Sequence, residues 1–370
     1  MTTAGLIIRN FKGLSGAVNY TAELARRLPS YGFDISILAR RGDGALAESC
    51  GAKFIRVPSL PFGGALGRRA FSASAGWFSR GLDLVHGQGD TLRQDVLSLH
   101  NCVHAAHQAV HGSPLPASDP VGRLHSAQLR GRKFRRLVAN SGLMKAELSS
   151  RFAIPADLIK VVYPGMDPAR FAAPAKDLRE EFGFSRQDVV AGLVTSGDLV
   201  KRGASSFLKA LALAAGRTPE LKGLIVASPL QAGPLKAQAA ALGLAGSVVF
   251  IPPLPQVERL YATIDFMAYP ALYEEFGIVV LEACASGLPV LLRAPRVGAA
   301  ELFTPDLRAE LDFSDDEELA AKMSLLASDP VRCGRLGSAA RACAAPATWD
   351  AAAKAVAEVY AEVLSELAPR

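Results

Sequence analysis

Strand-length apolar runs alternate with amphipathic stretches along the whole chain, and this alternation constrains the fold more than any other feature of the sequence. Runs at 5–9, 34–39, 53–57, 82–86, 95–99 and 137–139 read as strands in the first half. Runs at 189–194, 221–227, 247–251, 266–269 and 289–292 read the same way in the second. Between them, 18–29 has an amphipathic period, and helices are expected at 204–214, 235–241, 257–262 and 278–285. The pattern predicts two successive doubly wound parallel α/β sheets. The turn-rich Tyr163-Pro164-Gly165-Met166-Asp167-Pro168 is the natural linker, giving domains at 1–167 and 168–346. A last amphipathic helix is expected within 347–370, anchored at its start by Trp349 and capped by Thr348 or Asp350.

At 370 residues the chain is long enough for two such cores. Half its residues are hydrophobic and 21% are charged, which excludes global disorder. No apolar run approaches the ~20 residues that cross a bilayer, and Met1 leads almost directly into a strand, so no signal peptide is expected. Five cysteines without a Cys-x-x-Cys pair argue against a disulfide framework or thiolate zinc site and for a reducing cytoplasm.

The net charge of +6 is unevenly divided: 1–168 carry 21 Lys and Arg against 11 Asp and Glu, and 169–370 carry 20 against 24. The densest run is Arg130-Gly-Arg132-Lys133-Phe134-Arg135-Arg136. Such runs are commonly solvated helix faces. Confined to one half of an otherwise acidic-leaning chain, this one suits an anionic partner, either lipid head groups or a phosphorylated acceptor. No nucleic-acid-binding motif accompanies it, so nucleic acid is not an expected partner.

The chemistry concentrates in Pro270-Ala-Leu-Tyr-Glu274-Glu275-Phe276-Gly277-Ile278-Val-Val-Leu-Glu282. A helix opening at Gly277 aims its unpaired N–H groups and positive dipole end at whatever precedes it, which suits a phosphate. Glu274 then lies on the loop facing that anion, and Glu282 more than a turn into the helix, in reach of a sugar hydroxyl. Paired acids at a helix start are ordinarily charge stabilisation alone. The longer string, running on through Gly287-Leu-Pro289-Val290, is much more specific.

Two further loops follow strands. Gly13-Leu14-Ser15-Gly16 opens the first helix, where glycines let the backbone approach an anion. It is not Gly-x-Gly-x-x-Gly, and no acid ends the second strand to take a ribose, so a nicotinamide enzyme is disfavoured. Ser196-Gly197-Asp198-Leu199-Val200-Lys201-Arg202-Gly203 places two cations before a helix, where they could neutralise a diphosphate leaving group. All six histidines fall in the basic half. His104, His107 and His111 share one helix face, yet no Asp, Glu or Cys completes a metal set, so no metal site is expected.

The Glu274-x7-Glu282 string, with Asn140 to Phe171 and Phe250-Ile-Pro-Pro-Leu254, resembles the retaining glycosyltransferases of family 4 over nearly the whole chain. The Asp198-containing loop is closer to the version in some lipopolysaccharide-core glucosyltransferases. The resemblance implies a GT-B fold: two Rossmann-like domains face a cleft, and the C-terminal helix crosses back to the first. It implies a nucleotide-diphosphate sugar as donor substrate, UDP-sugar favoured over GDP-sugar, and no cofactor or metal. Glu282 would bind the ribose, and Lys201 or Arg202 the diphosphate. Gly16 and the backbone of Phe276, Gly277 and Ile278 would contact phosphates or sugar hydroxyls. Glu274 and His100 would serve catalysis beside the transferred sugar, with His104 the second choice, and the backbone after Phe250 would meet the nucleobase.

The expected function is therefore retaining hexosyl transfer to a cell-envelope glycan or lipid-linked acceptor by a cytoplasmic enzyme, peripheral on the inner membrane face. The alternatives are a sugar-nucleotide epimerase of similar architecture and a non-catalytic envelope-glycan-binding protein.

Overall fold

The computed structural model describes residues 1–13, 15–59, 64–195 and 197–367. The chain divides into two compact units, Met1–Gly165 with Ala347–Arg370, and Met166–Pro346.

In the first unit β1 (Thr2–Ile7), β2 (Asn10–Phe11) and α1 (Gly16–Arg27) lead into β3 (Phe33–Ala39), β4 (Arg41–Gly42), α2 (Gly44–Ser49) and β5 (Lys53–Arg56). Then come α3 (Gly64–Phe78), β6 (Leu84–Gly87), β7 (Val96–Leu99), α4 (Val103–His111) and α5 (Pro120–Gly131). β8 (Arg136–Ala139), α6 (Gly142–Phe152) and β9 (Ile159–Val161) complete the first passage. Seven strands form one parallel sheet in the order β5-β3-β1-β6-β7-β8-β9. The order reverses between β1 and β6, so a crevice opens beyond the carboxyl ends of these strands. Under one face Ile7, Leu38 and Val57 pack on Phe71 and Ala75 of α3.

The second unit begins with α7 (Pro168–Ala172) and β10 (Val189–Leu193), then α8 (Ala204–Ala215), β11 (Leu221–Val226), α9 (Pro229–Ala241), β12 (Val248–Ile251), α10 (Val257–Thr263) and β13 (Phe266–Tyr269). It continues through α11 (Ile278–Ala285), β14 (Val290–Leu292), α12 (Pro305–Leu311), α13 (Asp316–Ser328) and α14 (Pro330–Ala344). Its five strands are parallel in the order β12-β11-β10-β13-β14, reversing between β10 and β13.

Each expected strand is present, with ends displaced by a few residues. Helix α9 differs: it starts at Pro229 and runs through Pro234, whereas the sequence predicts a start after that residue because an interior proline removes a hydrogen bond. Ser228 O accepts from Ala232 N at 2.9 Å, closing the first turn ahead of Pro234.

The final helix α15 (Trp349–Leu367) belongs to the first unit. Thr348 Oγ1 accepts from Ala351 N at 3.1 Å and so is the cap. Asp350 instead pairs with Arg27 of α1 at 2.5 Å. Tyr360, fully buried, brings its Oη to 2.7 Å from Nδ1 of buried His86, whose Nε2 lies 2.7 Å from Ser98 Oγ. The basic run is partly consumed here, since Arg136 pairs with Glu362 at 3.1 Å and Glu366 at 2.5 Å. Among the described residues no helix is long and apolar enough to cross a membrane.

Candidate active site

In the second unit two loops leave the sheet where its strand order reverses, one after β10 and one after β13. Ligands of open α/β sheets bind beyond strand ends at such a point. The loops are laced together. Lys201 O accepts from Leu272 N at 2.9 Å, and Gly203, at φ +72°, sits so close that a Cβ would stand 2.0 Å from Pro270 O. Only glycine meets both demands.

This lacing presents the cations of one loop to the acids of the other. Arg202 pairs with Glu274, and Lys201 Nζ lies 2.7 Å from Glu275 Oε2. Tyr269, the buried last residue of β13, donates to Glu274 Oε2 at 2.8 Å. The Glu274 backbone is pinned as well: its N–H donates to Arg296 O at 2.8 Å and its carbonyl accepts from Gly298 N at 3.0 Å. Neither expected diphosphate cation is therefore solitary. The two differ in that Arg202 keeps a buried Nε without a hydrogen-bond partner among the described residues. Ser196, at the head of this loop, lies outside the described residues.

Gly277 precedes α11 at φ +97°, and a Cβ there would press to 3.2 Å from Glu274 Cγ. Val280 N donates to Gly277 O at 2.9 Å. The amides of Ile278 and Val279, at the first two helical positions, have no partner within the helix. Phe276 is buried and Ile278 partly covered. One turn further on, Glu282 Oε2 accepts from Tyr261 Oη at 2.9 Å, while Oε1 has no hydrogen bond among the described residues. Burial raises the Glu282 carboxyl to about 7 against the opposing hydrogen bond from Tyr261. The arrangement offers cations and helix amides to a diphosphate, and carboxylates to hydroxyl groups on either side.

Gly16 and His100 belong to the first unit. Gly16 begins α1 after Ser15, whose Oγ accepts from Val18 N at 3.3 Å, and Gly16 is exposed; Leu14 lies outside the described residues. His100 follows β7 at its carboxyl end, donates from Nε2 to Gln88 Oε1 at 2.9 Å and meets the Tyr20 ring at 4.9 Å. Burial lowers its pKa to about 4. The imidazole is thus neutral at physiological pH, suited to hydrogen bonding and not to carrying positive charge. His104 turns to Ser126 Oγ, 3.2 Å away, and to the Phe152 ring.

Sequence reasoning missed Tyr269 and Glu275 as supports of the two loops, and Gln88 as the partner of His100. Tyr269 carried a usable signal, since it ends a strand beside the topological reversal.

Residues 14–170 match the family model described as Glycosyltransferase Family 4, and residues 180–343 match Glycosyl transferases group 1. A D-inositol 3-phosphate glycosyltransferase of Nocardia farcinica (strain IFM 10152) is 31% identical over 313 residues, covering 77% of this chain and 67% of that protein. The chain belongs to the group 1 glycosyltransferase family. A second D-inositol 3-phosphate glycosyltransferase, from Streptomyces scabiei (strain 87.22), is 28% identical to this glycosyltransferase over 399 residues, 96% of this chain and 88% of that one.

Solved structures share the fold. WaaG, a glycosyltransferase involved in lipopolysaccharide biosynthesis, superposes with TM-score 0.79 at 19% identity, covering 96% of this glycosyltransferase and 99% of that chain. Anabaena Alr3699/HepE in complex with UDP and glucose gives 0.77 at 20%, covering 98% and 100%. These are GT-B glycosyltransferases, and of the three readings of the sequence the transferase is the one that this family carries.

Proposed function

We propose that this glycosyltransferase moves a hexose from a UDP-sugar to a cell-envelope glycan or lipid-linked acceptor, with retention at the anomeric carbon and without a metal ion. The observation that supports it most is the Arg202–Glu274 pair at the reversal between β10 and β13. A diphosphate entering there meets Arg202, Lys201 and the α11 amides, which supply the charge stabilisation that a departing nucleoside diphosphate demands. Glu282 Oε1 accepts from a ribose hydroxyl. Glu274, oriented by Tyr269, accepts from a hydroxyl of the transferred sugar as Arg202 turns to phosphate.

The acceptor oxygen bonds to the anomeric carbon on the face the phosphate leaves. The breaking bond's electron pair goes to the phosphate oxygen, which also takes the acceptor's proton. The family resemblance assigns Gly16 to donor phosphates and neutral His100 to a sugar hydroxyl. The preference for UDP draws on HepE, whose structure holds UDP. On this reading the enzyme works at the inner membrane face, where the basic first unit would meet anionic lipid. A second acceptor reading comes from the relatives named for D-inositol 3-phosphate, a soluble phosphorylated polyol.

The test is calorimetry with UDP-, GDP- and ADP-sugars in EDTA, on wild type, Glu282→Ala and Arg202→Ala. Selective UDP-sugar binding, weakened by both substitutions, supports the reading; no binding by folded protein overturns it. Product formation with inositol 3-phosphate, set against lipid-linked glycan, then decides the acceptor, and the anomeric proton coupling of the product decides retention.

A further inference from the structure

A second recessed surface lies in the first unit, at the opposite end of its sheet from His100. Val85 is near the amino end of β6, Gln94 and Asp95 lead into β7, and Lys133 to Arg135 lead into β8. With the later half of α3 these segments enclose a groove of about 820 Å³, within the size range of small-ligand sites. Reaction ligands of such sheets gather at the carboxyl strand ends, so the groove is not explained by glycosyl transfer.

Its chemistry is one-sided. Arg69, Arg80, Arg93, Lys133 and Arg135 border it, all exposed. Among the described residues only Arg135 has an acidic partner, Glu366 at 3.7 Å. The groove's one acid, Asp95, is engaged by Val85 N at 2.8 Å. At the rim Trp77 is 59% exposed. Leu66, Arg69, Ala73 and Trp77 share one face of α3, opposite the face that carries Phe71 and Ala75 into the core.

We propose that this groove is a second, non-catalytic binding site for an anionic saccharide, a sugar ring bearing carboxylate or phosphate. Guanidinium groups pair with such anions in planar, bidentate fashion, and the Trp77 ring is a rigid apolar platform for a sugar face. A concave site suits a discrete polar ligand better than a flat lipid surface. The inference stands independently of the donor reading, because every residue in it belongs to the first unit.

Both tryptophans of the chain lie in this unit, and Trp349 is buried, so Trp77 is the reporter. Titration of the full chain with a hexagalacturonate, in low salt, is expected to change Trp77 emission saturably, with no change for neutral maltohexaose and none in Trp77→Phe. Arg80→Glu and Arg93→Glu, both at exposed positions, are each expected to weaken binding at least tenfold with unchanged circular dichroism. No saturable response, or equal binding by both variants, overturns the proposal. A response to phosphatidylglycerol vesicles but not to the hexasaccharide overturns it in favour of a membrane surface.

Discussion

The phenol of Tyr261 donates to Oε2 of Glu282 across 2.9 Å, tying α10 to the one carboxylate of α11. The bond favours the charged form, yet burial outweighs it and the carboxyl titrates at about 7 instead of 4.5. The buried carboxylate is thus a burden on the folded protein.

That burden has a sign. A carboxyl raised in the folded state binds its proton more tightly there than in the unfolded chain, so stability falls as pH climbs from 4.5 to about 7, then levels. Allowing for its partial exposure, Glu282→Gln should stabilise the empty protein at pH 8 by about 2 kcal/mol and flatten the pH dependence of the calorimetric melt. UDP-sugar affinity should fall in the same variant. A melt with unchanged slope would contradict the assignment.

Gly203 faces a different constraint, since its φ is +72° and Pro270 O occupies the space of any side chain. Gly203→Ala should cost at least about 2 kcal/mol through left-handed strain and the clash. It should also uncouple the cation loop from the acid loop, so donor binding is lost more than stability is. Calorimetry read beside nucleotide-sugar titration separates the two effects.

The first unit carries the opposite pH slope. Burial lowers His86 to about 3, and His100 and His125 to about 4. The unfolded chain takes up these protons near 6.5 and the folded one does not, so stability is full above 6.5 and declines as pH falls toward 4. Denaturation followed by tryptophan emission reports this unit, which holds both tryptophans. It should show a falling midpoint from pH 7 to 5, and Tyr360→Phe should lower the midpoint further, at a cost in stability of about 1–3 kcal/mol, by leaving His86 Nδ1 unmet.

Arg136 sits 16% exposed between Glu362 and Glu366. Arg136→Glu should loosen α15, making 347–370 susceptible to limited proteolysis. Reversal of Lys133, which has no acidic partner among the described residues, should leave α15 docked. Vesicle binding is therefore tested fairly with Lys133→Glu, not with Arg136→Glu.

The strands were legible because parallel sheets bury both faces, so Val189 to Leu193 or Phe266 to Tyr269 read as unbroken apolar runs. The two-residue pair of β2 and β4 has no length over which a period could show. Helices α12 and α14 carry only a local signal, Thr304-Pro305 and Asp329-Pro330 each placing a cap before a proline at the first helical turn. At the candidate site, residue types and spacing single out Glu274, Glu282, Lys201 and Arg202. Their pairing was not legible, because Lys201 meets Glu275 across 74 positions and no local pattern encodes such a contact.

The return of α15 to the first unit also sets an order of events at the ribosome. The second unit is threaded between Gly165 and Ala347, so it is fully synthesised before the first can close. At ~5–20 residues per second, roughly ten to forty seconds pass between the last strand of the first sheet and the arrival of Tyr360. Throughout that interval His86 waits without its phenol. The earliest-made domain is thus the last to be finished, and a premature stop within the final helix would damage the half of the enzyme farthest from it in sequence.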